Sequence, residues 1–119
     1  MDFYDCIFKI NDENRIDLTL RSRNINVESK CSFATDYLSS ILNKLSKLEF
    51  DMNKNIVVID DLCLGKVEIP YALGALLAQA NSYTIHHYAI ISYIVDRLGI
   101  LIEDADFGYN PTIAKTTLN

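Results

Sequence analysis

The most regular pattern in the chain is a stripe of apolar residues between positions 26 and 48. Its members recur at alternating steps of four and three residues: Val27, Cys31, Ala34, Leu38, Ile41, Leu45 and Leu48. This spacing places them on one face of an α-helix, and Asn26 is a suitable N-cap residue. The pattern therefore predicts a long helix that packs within a left-handed helical bundle.

Two short segments after this helix have the pattern of strands. Residues 56–59 form a run of β-branched residues, and residues 66–69 alternate polar and apolar positions. A small β-hairpin fits these segments, and so does an extended loop.

A second long helix is predicted over residues 70–98. Pro70 suits the first helical position, and Gly99 is placed to end the helix. The helix is apolar on most sides, but polar residues interrupt its middle, where a membrane-spanning helix tolerates them poorly. These are Gln79, Asn81, Ser82, His86 and His87. We therefore predict a buried helix of a folded domain and no membrane span.

The two ends of the chain have weaker patterns. Phe3, Ile7 and Ile10 have helical spacing and predict a short first helix, whereas residues 11–24 are polar and broken in pattern. The segment from Asp104 onward is predicted to be a loop that packs on the helices. Together these elements predict a mainly α fold, an up-down bundle of three to four helices with a short first helix and a possible hairpin between the two long ones. All 119 residues are expected in one domain.

Composition narrows the classes of function. Half of the residues are hydrophobic and 23% are charged, as in ordinary globular proteins. The net charge of -5 argues against nucleic-acid or anionic-membrane partners. The N-terminus has no signal-peptide pattern, and three widely spaced cysteines, Cys6, Cys31 and Cys63, suggest reduced thiols in the cytoplasm and small core side chains. A domain of this size buries only about two thirds of its unfolded surface, so a homodimer that hides further apolar area is an option.

Two histidines in the second long helix carry the candidate chemistry. His86 and His87 are adjacent, so they point about 100° apart and are poorly placed to share one metal ion. Tyr83 and His87 lie one turn apart on the stripe expected to face the bundle interior. The spacing fits a hydrogen-bonded pair in the core better than a metal site.

The sequence around these histidines resembles a known family. The run SYTIHHYAIISYIVDRLGI and the following DFGYNPT resemble the C-terminal signature of one branch of DinB/YfiT-like proteins, SHTxHHYAxI followed by Gly-Ile and FGxAPST. More loosely, residues 16–28, with Arg21, Arg23 and Glu28, resemble the branch's segment VDYxxRxRxxxIE, and Gly74 falls where it has Gly-Arg-Glu-Leu. The resemblance covers residues 15–112 and implies a DinB-like four-helix bundle.

The resemblance also implies a metal site and shows where this chain departs from it. Many of these proteins hold nickel or zinc with three histidines, and some act as thiol S-transferases. His87 matches the second histidine of the family's late pair, while Tyr83 stands in place of the first. The third histidine belongs to an earlier helix, and this chain reaches Met1 first, so we expect a shortened first helix. Other departures are Ala75 and Leu76 in place of Arg-Glu, and Asn110, Pro111, Thr112 and Ile113 in place of Ala-Pro-Ser-Thr.

Three functional hypotheses follow. The first is a non-enzymatic DinB-like protein with a degenerate metal site and no cofactor. The second is a metal-dependent thiol S-transferase-like enzyme in which a dimer partner, or the acidic residues Glu103, Asp104 and Asp106, completes a site at His87. The third is a dimeric partner-binding module that uses a face left open by the short first helix. The sequence identifies no substrate.

Overall fold

The computed structural model describes residues 2–111, and they form helices and a small sheet. The chain divides into two compact units, Met1–Leu77 and Ala78–Asn119. In chain order the elements are α1 (Asp2–Phe8), β1 (Arg15–Asp17), a 3-10 turn (Leu18–Leu20), α2 (Ile25–Ser29), α3 (Cys31–Lys47), β2 (Asn55–Asp61), β3 (Lys66–Ala72) and α4 (Leu73–Arg97).

The first unit contains a three-stranded mixed sheet in the order β1-β2-β3. The predicted hairpin is present, because β2 and β3 pair antiparallel with Val58 opposite Ile69. The third strand, β1, pairs parallel to β2, with Ile16 opposite Val58. Residues 11–24, which include β1, have a polar and broken pattern, and no strand was predicted there.

A short alternation of polar and apolar residues marks β1 in the sequence. Arg15, Ile16, Asp17 and Leu18 alternate polar and apolar residues, and both apolar side chains are buried. Because strand side chains point to opposite faces in turn, this places Ile16 and Leu18 on the core face. A stretch of three residues is too short to stand out against polar neighbours on both sides.

The core of the first unit is made by α1, the sheet and the first turn of α4. Its most deeply buried side chains are Ile16, Val58 and Leu76. Around them lie Phe3, Cys6, Ile7, Leu18, Ile41, Ile56 and Leu73. Each large aliphatic side chain buried in this way stabilises the fold by roughly 1.5–3 kcal/mol through its removal from water.

The first long helix is broken near its start. Lys30 has extended backbone angles that separate α2 from α3, and the N-cap of α2 is Asn24, whose side chain accepts a hydrogen bond from the Asn26 backbone N–H at 3.0 Å. The prediction of Asn26 as the N-cap is therefore wrong by two residues. The predicted stripe on α3 is not a buried seam either, since Ile41 is its one buried member while Cys31 and Leu38 are exposed.

The predicted mainly α bundle is wrong, because the fold is α+β. A bundle buries its helices against one another, whereas here the sheet supplies Ile16, Ile56 and Val58 to the core and α3 contributes only Ile41. The boundary of the second long helix also differs. Pro70 lies within β3, opposite Val57, and α4 begins three residues later at Leu73.

The second unit consists of the remainder of α4 and the segment that follows it. The predicted helix end at Gly99 is confirmed, since Gly99 has a φ of 73°. The Gly99 N–H donates a hydrogen bond to the Asp96 carbonyl at 3.0 Å, and the Ile100 N–H donates one to the Val95 carbonyl at 2.9 Å. These two bonds form a Schellman motif, which satisfies the last carbonyls of the helix. Within residues 2–111, no helix is both long and apolar enough to cross a membrane.

Candidate functional site

Tyr83 and His87 lie side by side on α4, as their spacing predicted. Their ring centroids are 6.5 Å apart, and the angle between the ring planes is 23°. The His86 ring contacts the His87 ring edge-on, with 5.8 Å between the centroids. All three side chains are exposed. The expected burial of Tyr83 and His87 in a bundle interior is therefore wrong, although their proximity is correct.

The residues around His87 do not fit the three-histidine centre that the resemblance implies. Within residues 2–111, no group of three His, Cys, Asp or Glu side chains is close enough together to hold a metal ion. A tyrosine is protonated at neutral pH and is a poor replacement for an imidazole ligand. Metal binding at His87 stays a prediction, and we derive no chemical step from it.

The acidic residues after α4 have local structural contacts. Asp104 accepts a hydrogen bond from the Asp106 backbone N–H through Oδ1 at 2.9 Å and one from the Phe107 backbone N–H through its carbonyl at 3.2 Å. Glu103 is exposed. Asp104 therefore organises a turn in the segment.

The motif that follows this turn packs on α4. Phe107 stacks on Tyr88, with ring centroids 4.9 Å apart and an angle of 23° between the planes. Gly108 has a φ of 83°, and a Cβ there would lie 3.1 Å from the Tyr88 carbonyl and 3.2 Å from the Ala89 Cα. The Phe-Gly pair of the resemblance thus anchors the tail to one face of the helix. Thr112 and Ile113 lie outside the described residues.

The other residues that carry the resemblance also make structural contacts. The Arg23 guanidinium donates two hydrogen bonds, of 2.7 and 2.8 Å, to the Glu28 carboxylate. These bonds hold the pKa of the Glu28 carboxyl below its ordinary value. The backbone at Gly74 lies close to the backbone of Met52, and a Cβ at Gly74 would lie only 2.9 Å from the Met52 carbonyl oxygen. These contacts shape the first unit.

The first unit contains a small acidic cavity that the sequence reading missed. It has a volume of about 190 Å³, and Tyr37 lines it. Burial, followed by the negative charges of Asp5 and Asp2, raises the pKa of the Tyr37 phenol to about 12. Its other lining residues are Ser22, Asn24, Val27 and Glu28. No spacing rule links residues so far apart in the chain, so only the fold could have revealed it.

The three cysteines have different surroundings. Cys6 is buried, as predicted for a small core side chain, and burial raises the pKa of its thiol. Cys31 and Cys63 are exposed, so the prediction of core positions is wrong for both. All three are free thiols.

The most extensive feature of the second unit is an exposed apolar seam on α4. Successive helix residues turn by about 100°, which brings the members of this seam within an arc of roughly 100° on one side of the helix. Phe107 and Gly108 pack on the opposite side, against Tyr88, Ala89 and Ser92. We define the α4 seam as Tyr83, His87, Ile90, Ile91, Ile94 and Leu98, all of which are exposed.

The sequence predicts that Tyr83 and His87 share a face of this helix and that the face is buried. The shared face is confirmed, whereas its predicted burial is wrong. Comparisons with known protein families, characterised proteins and solved structures give no significant match.

Proposed function

We propose that this chain is a non-catalytic association module whose α4 seam packs against an amphipathic helix. The observation that carries the proposal is the exposure of the seam: a row of mostly large apolar side chains on one side of a helix, while the tail packs on another side through Phe107 and Tyr88. Contiguous exposed apolar surface of this kind is typical of protein interaction sites.

The chemistry of the seam selects a helical partner. On either side of the adjacent pair Ile90 and Ile91, its members recur at steps of three and four, which is the spacing that packs into the grooves of a facing helix. No Asp, Glu, Lys or Arg occurs in residues 78–95 of α4, so the partner must present apolar side chains rather than charges. The net charge of -5 further disfavours nucleic acid as the partner.

The non-catalytic part of the proposal is supported by the residue at position 83. Tyr83 stands where the DinB/YfiT-like proteins that this chain resembles have the first histidine of their late metal-binding pair. With a phenol in that position, His87 lacks the imidazole one turn away that the resemblance implies. We propose the reducing cytoplasm as the location, because Cys31 and Cys63 are exposed free thiols.

An apolar dye tests the proposed function. In protein diluted until sedimentation shows monomers, a dye such as anilinonaphthalene sulfonate should bind the seam, and Ile94→Gln should lower its fluorescence severalfold, because a polar amide interrupts the apolar surface. Tyr93→Gln is the matched control, since Tyr93 is exposed on the same helix outside the seam. Equal dye binding by both variants and the unaltered chain would contradict the proposal.

A further inference from the structure

We propose that the helix which packs on the α4 seam is α4 of a second copy of this chain, running antiparallel across a two-fold axis. This inference rests on the proposed function and names the partner. Three observations carry it: the order of the seam positions, its exposed area and the place where α4 ends.

The seam has the same spacing in both directions along the helix. Its positions 83, 87, 90, 91, 94 and 98 are separated by steps of four, three, one, three and four residues. A two-fold axis between Ile90 and Ile91 therefore places every seam residue opposite another seam residue. Tyr83 then lies at the level of Leu98 of the second copy and His87 at the level of Ile94, while Ile90 and Ile91 each meet the same residue of the second copy beside the axis. A two-fold interface requires this self-complementarity, whereas binding to an unrelated helix does not.

The helix dipoles favour the antiparallel direction. Two parallel helices side by side align their dipoles and repel, whereas antiparallel helices place the N-terminal end of each beside the C-terminal end of the other. Arg97 is exposed and lies at one edge of the seam. In the antiparallel pair, the two Arg97 side chains lie at opposite ends of the interface, so they do not repel each other at contact.

The exposed area of the seam is sufficient for a specific interface. Tyr83 is 45% exposed, Ile94 53% and Leu98 68%, with Ile90 and Ile91 slightly above 40%. Taking roughly 150–250 Å² for a large side chain, the seam offers about 500 Å² per copy. Two copies would hide roughly 1,000 Å², which is the lower end for a biological interface. We therefore expect a dimer that dissociates on dilution.

The end of α4 matches the end of the seam. Gly99 terminates the helix directly after Leu98, and Ala80, one turn before Tyr83, is buried. The exposed stretch thus covers residues 83–98, a length of about 24 Å at 1.5 Å per residue. An antiparallel partner helix of the same length covers it from one end to the other.

Sedimentation of the full chain tests the partner. We expect a concentration-dependent equilibrium between the 13.5 kDa chain and a species of twice that mass. Ile91→Glu should raise the dissociation constant on the order of 100-fold, because it buries an unpaired charge at the axis. Tyr93→Glu is the matched control on the same helix and should leave the dissociation constant unchanged. Far-ultraviolet circular dichroism confirms that both variants keep their helices.

Cross-linking tests the direction. Tyr83→Cys and Leu98→Cys are made separately in a chain that carries Cys31→Ser and Cys63→Ser. With a short bismaleimide, a mixture of the two variants should cross-link, whereas each variant alone should not. Efficient cross-linking of Tyr83→Cys alone would show a parallel pair and overturn the antiparallel arrangement.

Two further outcomes overturn the inference and separate it from the proposed function. A chain that stays monomeric at all concentrations, yet binds the dye at its seam, excludes the second copy and leaves the association module in place with a different helical partner. A dimer that Ile91→Glu does not weaken shows that the copies meet elsewhere. A monomer whose dye binding does not depend on Ile94 contradicts the proposed function itself.

Discussion

Tyr37 shows how a single side chain reports on the folded first unit. Its phenol lies in a cavity with Asp2 and Asp5, and burial with these negative charges favours its neutral form. No pattern in the sequence predicts that Tyr37 lies near these two carboxylates. The three residues come together only because α1 and α3 meet in the fold.

We expect Tyr37 to give the folded protein a late step in its alkaline titration. Its pKa is raised from 10 to about 12, so the folded state holds the phenolic proton more tightly than the unfolded state. The stability that depends on the neutral phenol is therefore fully present below pH 10 and is lost as the pH rises towards 12. Absorbance of tyrosinate near 295 nm in ultraviolet light follows the titration.

Substitution identifies the tyrosine responsible. Tyr37→Phe should remove the late step and flatten the loss of stability above pH 10, whereas Tyr93→Phe should leave both in place. A titration of the unaltered chain that Tyr37→Phe does not change would show that the cavity does not shield this phenol.

At the scale of elements, the tail after α4 depends on one backbone conformation. Gly108 adopts a φ of 83°, and a Cβ there would lie 3.1–3.2 Å from the Ser92 Cβ, the Tyr88 carbonyl and the Ala89 Cα. This close approach lies next to the stack of Phe107 on Tyr88. The positive φ and the tight space together favour glycine at this position.

Gly108→Ala should release the tail from α4. We expect a cost of about 1–3 kcal/mol, because the substitution adds steric overlap to an unfavourable φ. Hydrogen exchange at the Phe107 and Tyr109 amides, which donate to the Asp104 and Asp106 carbonyls, should become faster by tenfold or more. Gly99→Ala is the control: its φ is also positive, but a Cβ there meets no atom within 4 Å. Equal effects at both glycines would show that collision with α4 contributes nothing.

The elements also show which sequence signals were sufficient. The end of α4 at Gly99 was predictable, since a glycine after an apolar helix supplies the positive φ of a helix cap. The hairpin was predictable from β-branched and alternating residues. The short strand β1 and the role of Pro70 were not, because strand pairing depends on a partner many residues away.

For the whole molecule, charge opposes the association that the seam favours. Each copy carries a net charge of -5, and the seam contains no Asp, Glu, Lys or Arg. Two copies therefore repel at long range while their apolar surfaces attract at contact. Salt screens the repulsion between the two copies and does not weaken the attraction between their apolar surfaces.

We expect the proposed dimer to become tighter as salt is added. Raising the ionic strength from about 10 mM to about 300 mM should lower the dissociation constant about three- to tenfold, because the Debye length falls from roughly 30 Å to below 10 Å. Sedimentation at a series of sodium chloride concentrations measures it. A dissociation constant that rises with salt would indicate that ion pairs, rather than the seam, hold the copies together.

The sequence by itself determined the two long helical segments, the helix end at Gly99 and the proximity of Tyr83 to His87, and it allowed the hairpin without choosing it over an extended loop. These are consequences of backbone geometry and of neighbours within a few residues. The tertiary structure alone decided that the sheet supplies much of the core, that α3 buries only Ile41, and that the α4 seam is exposed. The reason is that apolar periodicity specifies which residues share a face, whereas burial depends on whether another surface covers that face.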